Sequence, residues 1–132
     1  MFRHWFKRYQ YPDTRDYLRL PASWPVKCEI LPTGDDRLVT SSKDVSAGGV
    51  AILVQEAVPA GSRVRLTIYV PFLERSIPAQ GRVVRSLPTR GGGFELGIRF
   101  EQIDPKDRQD LNQVIEEMAP SRRKMNWWRK AT

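Results

Sequence analysis

The chain has 132 residues, 28% of them charged and 40% hydrophobic, with a net charge of +7, one cysteine and one histidine. That length suits one domain that can bury a core unaided, and a lone cysteine excludes an internal disulfide framework. One cysteine and one histidine at position 4 cannot assemble a zinc site, and no apolar run approaches the ~18 residues of a bilayer span.

Residues 1–13 read as an arm that mixes bases and aromatics, among them Arg3, Trp5, Phe6, Lys7, Arg8 and Tyr9. They lack the layout of a secretory signal, so a cytoplasmic protein is expected. Pro12 and Pro21 bracket Arg15 and Arg19 and keep a long helix from forming there, which leaves a flexible approach segment.

From Trp24 to Phe100 the pattern is β, with predicted strands at 24–31, 37–44, 49–54, 63–70, 77–87 and 94–102. Val64, Leu66, Ile68 and Val70 alternate with Arg63, Arg65, Thr67 and Tyr69, and Phe94, Leu96, Ile98 and Phe100 repeat the pattern. Cys28 falls on the apolar side of the first strand, between Val26 and Ile30, and is expected in the core. Turn chemistry breaks the strands at 32–36, 59–61 and 88–93. Gly81, inside a strand pattern, predicts a bulge or sharp bend. Six short strands with such turns predict a closed or nearly closed antiparallel barrel.

A helix is predicted from Asp104 to Met118. Asp104 is placed to cap it, Pro105 suits its first position, and Asp107 is placed to complete a box-like cap. Asp104, Asp107 and Asp110 suit the positive end of its dipole. Leu111, Val114, Ile115 and Met118 form one apolar stripe, expected to join the core. Pro120 stops the helix. The tail that follows holds Arg122, Arg123, Lys124, Trp127, Trp128, Arg129 and Lys130. The organisation expected is an arm at 1–13, a domain at 14–118 and a tail at 119–132. Charge follows that division: residues 1–20 carry +3, residues 119–132 carry +5 and residues 21–118 carry −1. A basic chain of this kind suggests nucleic acid, but the excess sits on the ends and not on the body.

Two short motifs carry the chemistry. Arg15 and Arg19 form R-x-x-x-R, a spacing common among 16 arginines and equally suited to two solvated side chains. Asp44, Ser46 and Gly49 form D-x-S-x-x-G, which is rarer by composition. It also suits a plain tight turn in which Asp44 and Ser46 bond the local backbone and Gly48 and Gly49 take positive φ. A hairpin made of the first two strands returns the chain to its starting end, so the arginine pair can lie over the second motif. A guanidinium fork pairs with guanine O6 and N7 or with phosphate oxygens, and a carboxylate accepts from the N1–H and N2–H₂ edge of guanine. The two motifs together suit an anionic, guanine-bearing ligand. No nucleophile–base pair, metal cluster, phosphate loop or acid–base couple accompanies them, so no enzyme activity and no cofactor are expected.

On these residues the sequence resembles the PilZ domain family, bacterial receptor modules for cyclic di-GMP. The resemblance runs over about 14–118. It rests on Arg15-Asp-Tyr-Leu-Arg19, Asp44-Val-Ser-Ala-Gly-Gly49, Val50-Ala-Ile-Leu-Val54, Gly81-Arg-Val-Val84, Gly97-Ile-Arg-Phe100 and the helix start at 104–108. It implies an all-β fold with a C-terminal helix, a six-stranded antiparallel split barrel. It implies that Arg15 and Arg19 grip guanine and phosphate, that Asp44 and Ser46 bond guanine, and that Gly49 keeps the turn open. Many members have a further arginine before the first motif arginine. Thr14 stands there in this chain, which implies one ligand per domain.

A domain of this kind without an output domain is expected to act on a protein partner in trans, through a change of order in its N-terminal segment. The basic, tryptophan-bearing tails suit an anionic membrane surface or an acidic partner. The competing expectation is a small barrel that binds single-stranded nucleic acid by stacking and backbone charge. A neutral body without an aromatic-rich strand face counts against it.

Overall fold

In the computed structural model, which describes residues 17–32 and 37–119, alternation along the chain becomes alternation across a curved sheet. The strands are β1 (Arg19–Leu20), β2 (Pro25–Ile30), β3 (Arg37–Ser46), β4 (Gly49–Val54), β5 (Arg63–Val70), β6 (Arg75–Pro88) and β7 (Phe94–Ile103). One helix follows, α1 (Pro105–Met118). Strands β2, β3, β4, β7, β6 and β5 pair in that circular order, each pair antiparallel. The ring therefore closes as the expected six-stranded barrel.

Closure depends on β3, which serves different neighbours along its length. Residues 37–41 pair with β2, and Ser42 to Ser46 pair with β4. The expected bend at Gly81 is present: the β6–β7 register shifts between Gln80 and Gly81, and again between Val83 and Arg85. A Cβ on Gly81 would lie 2.6 Å from the Arg99 carbonyl oxygen, so only glycine lets the two strands meet there.

The inward residues form one core. Val26, Cys28, Ile52, Val64, Leu66, Ile68, Val70, Ile77, Val83, Leu96, Ile98 and Phe100 are buried in it, joined by Leu111, Val114 and Ile115 of α1. Met118 does not join them. It is 40% exposed at the last turn of the helix, where the stripe has run past the barrel. Burial raises the Cys28 thiol to about 11, with neighbouring Glu29 adding to the rise.

Asp104 caps α1 alone, accepting from the backbone N–H of Lys106 at 2.8 Å and of Asp107 at 3.2 Å. Asp107 does not complete a capping box. Its carboxylate turns instead to Arg75, 3.0 Å away on β6, and Asp110 reaches the same guanidinium at 2.9 Å. The helix is thus tied to the barrel by charge as well as by its apolar face.

The sequence predicts β1 only as flexible approach. It is a strand because Ser42 fixes the chain just after it. The buried Ser42 hydroxyl accepts from Trp24 N–H at 2.9 Å and donates to the Ala22 carbonyl. The turn at 33–36, the arm at 1–13, Thr14, Arg15 and the tail beyond Ala119 lie outside the described residues.

Candidate ligand-binding site

The register of β1 on β3 builds the site. Arg19 stands opposite Ser46, and Leu20 stands opposite Val45. Leu20 and Val45 are buried in the core, so Arg19, Ser46 and, two residues along, Asp44 share the other face. Arg19 Nη1 lies 3.8 Å from Asp44 Oδ2, a loose ion pair. Asp44 Oδ1 is buried and has no hydrogen-bond partner among the described residues. A carboxylate oxygen in that state is an acceptor awaiting a donor.

Ser46 is already engaged. Its hydroxyl accepts from Gly48 N–H at 3.1 Å and lies 3.4 Å from the Gly49 carbonyl oxygen, locking the turn between β3 and β4. The turn is also tied from outside. Phe100 N–H donates to the Gly48 carbonyl at 2.9 Å, and Arg108 Nη1 donates to the Ala47 carbonyl at 3.0 Å. Gly49 serves a purpose other than turn flexibility, since its φ is not in the left-handed region. A Cβ there would stand 2.3 Å from the Ile98 carbonyl oxygen, so glycine lets β4 start hard against β7.

These residues line an open cleft of ≈ 160 Å³ on the outer face of the barrel. Of the five residues singled out from sequence, Arg19, Asp44, Ser46 and Gly49 meet there, and Arg15 lies outside the described residues. The opposite wall holds residues that the motifs did not identify: Val84, Arg85, Gly97 and Arg99. The Arg85 stem lies across Gly97, where a Cβ would be 2.9 Å from Arg85 Cγ. Arg99 Nε is buried without a partner among the described residues. Three arginines and one aspartate line the cleft, and although Arg85 also pairs with Glu95 at 3.4 Å, the excess of positive charge suits an anion. The signal for Arg85 and Arg99 was their outward position on β6 and β7, which a solvated arginine shares. Among the described residues no group of His, Cys, Asp and Glu could hold a metal ion.

Known proteins agree with this architecture. Residues 13–117 match the sequence profile of the PilZ domain. The motility inhibitor MotI/DgrA of Bacillus subtilis superposes with a TM-score of 0.68 at 26% identity, over 83% of this chain and 51% of that one. The PilZ domain of YcgR from Escherichia coli, solved with c-di-GMP, gives 0.59 at 16% identity over 83% and 95%. YcgR in complex with c-di-GMP gives 0.62 at 20% identity over 88% and 50%. The chain thus spans about half the length of MotI/DgrA and of that YcgR chain. Among curated proteins no sequence matches it. With the family profile running from the first motif to the end of α1, on a barrel closed in the way described, the chain belongs to the PilZ domain family.

Proposed function

We propose that this protein is a receptor for cyclic di-GMP, held between the Arg15–Arg19 segment and the β3–β4 turn. One observation carries the reading: the buried Asp44 Oδ1, which no donor among the described residues reaches, beside the Arg19 guanidinium. Guanine offers the N1–H and N2–H₂ donors that this oxygen lacks, and O6, N7 and phosphate oxygens for the arginines. Gly49 and Ser46 hold the turn at the depth where such an edge can reach Asp44. Arg85 and Arg99 add positive charge on the far wall for the second half of a cyclic dinucleotide. Family membership supports the same ligand, as does the c-di-GMP seen with the YcgR PilZ domain.

The receptor binds one ligand per domain, acts without catalysis and works on the cytoplasmic side. Binding draws Arg15 and the residues before it onto the cleft, and that change of order is read by a protein partner in trans. The basic tails at 1–13 and 119–132 bring the receptor to an anionic membrane surface or an acidic partner.

Calorimetric titration of the full chain with cyclic di-GMP, cyclic di-AMP and a single-stranded oligonucleotide at two salt concentrations tests the reading. The expected result is saturable, guanine-selective binding with one ligand per chain. Silence toward cyclic di-GMP, with oligonucleotide binding that fades steeply as salt rises, would replace it with the nucleic-acid reading.

A further inference from the structure

Arg108 stands on the otherwise apolar inner face of α1 with Leu111, Val114 and Ile115, and is 6% exposed. A buried guanidinium is costly, and an apolar side chain of similar volume would pack there at least as well. Stability alone therefore gives little reason for an arginine. Its neighbours give a better one. Nη1 donates to the Ala47 carbonyl at 3.0 Å, and Cζ lies 5.8 Å from the centre of the Tyr17 ring, within cation–π range. Tyr17 is the central residue of Arg15-Asp-Tyr-Leu-Arg19, and Ala47 lies between Ser46 and Gly49. One side chain thus meets the spacer of each motif.

We propose that Arg108 is a positioning residue that sets the two halves of the cyclic di-GMP site against each other and couples the site to α1; this rests on the receptor reading above. The fork holds the turn by its carbonyl while its charge sits over the Tyr17 ring, which fixes the direction in which Arg19 leaves β1. A ligand that clamps Arg19 and Asp44 also immobilises Tyr17 and Ala47. Through them it immobilises Arg108 and the helix, after which the chain continues into the basic tail. The spacers of the motifs, which make no ligand contact in the reading above, become the route by which occupancy reaches the C-terminal element.

Amide hydrogen exchange on the full chain, with and without cyclic di-GMP, tests this alongside calorimetry. In the parent, ligand slows exchange across α1. Arg108→Met is expected to lower affinity about tenfold and to abolish that slowing. Without ligand it speeds exchange at Gly48, Gly49 and 17–20, while β5 exchanges as in the parent. Arg108→Lys, which keeps a cation and a donor for Ala47, recovers part of the affinity. Parental affinity with full protection of α1 in Arg108→Met overturns the coupling. Unaltered ligand-free exchange at both motif segments overturns the positioning role itself. If the parent ignores cyclic di-GMP, the receptor reading falls, and the ligand-free exchange alone decides whether Arg108 positions the two segments. If Arg108→Met does not fold, Tyr17→Leu at the partly exposed end of the contact is held to the same outcomes.

Discussion

Asp44 and Ser46 sit two residues apart on one strand face, yet their side chains have opposite relations to the fold. Ser46 satisfies the buried Gly48 N–H, so Ser46→Ala leaves a buried donor without an acceptor and is expected to cost about 1–3 kcal/mol of stability. Asp44 carries a buried oxygen that nothing among the described residues satisfies. Asp44→Ala is therefore expected to leave stability unchanged or slightly raised, while lowering affinity for cyclic di-GMP and erasing the preference over cyclic di-AMP. Thermal melts paired with calorimetry separate the two effects, and a large loss of stability in Asp44→Ala would make it a turn residue. Arg19→Ala should lose about 1.5–3 kcal/mol of binding as charge-assisted bonds disappear. Its loose pair with Asp44, half exposed, contributes at most about 1 kcal/mol to the fold. Gly49→Val places carbon atoms against the Ile98 carbonyl and should destabilise by about 3 kcal/mol, the upper end of overpacking, with binding lost as a consequence.

At the level of elements, α1 is tied to the barrel, and β7 to β3 and β6, partly by carboxylates that titrate below their ordinary range. Hydrogen bonds from Lys106 and then Arg75 lower Asp110 from its ordinary 3.8, and Lys43, with Arg85 behind it, lowers Glu95 from 4.5. A depressed folded-state value means that the stabilisation is fully present above the ordinary value and is lost as pH falls through the folded one. The thermal midpoint should therefore hold from neutral pH to about 5 and fall on further acidification, less steeply in Glu95→Gln. Midpoints measured from pH 7 to 3 check this, and an acid-side slope that is the same in the variant would remove Glu95 from the account. The elements also differ in how plainly the sequence announced them. β5 alternates strictly because one face is core and the other solvent, β7 does so except where Gly97 is covered and Ile103 falls out of phase, and the observed spans match the predicted ones almost residue for residue. β1 was not legible: two residues carry no period, and the clamp that makes them a strand is Ser42, a residue 22 positions beyond Leu20 in sequence. Asp107 fits a local capping rule, but a distant arginine outbid its neighbouring backbone. Asp44, Ser46 and Gly49 were legible because their types are rare at that spacing, whereas Arg19 stood out only beside them, its spacing from Arg15 being a common one. Arg85 and Arg99 were not, because pairing β6 with β7 is what puts them on one wall.

For the molecule as a whole, ligand and fold are linked by mass action. If cyclic di-GMP binds only the folded chain, then 100 times its Kd adds about 2.7 kcal/mol of stability. A melt with and without ligand should show a rise of roughly 10 °C for a domain of this size. No rise at saturating cyclic di-GMP would contradict the receptor reading. The closed barrel offers a second way to follow that linkage. Cys28 is fully buried at the middle of β2, a strand bonded on both sides, with its thiol held near pKa 11. Neither edge of β2 can peel away without breaking the ring, so a thiol reagent reaches that sulfur only when the barrel opens as a unit. The chain's single cysteine is thus a built-in clock for global opening. Its rate of modification at mild alkaline pH reports how readily the barrel opens, in buffer without denaturant and at concentrations too low for calorimetry. Ligand should slow the clock in proportion to occupancy, and a screen of dinucleotides could be read from the sulfur alone, with no label attached to protein or ligand.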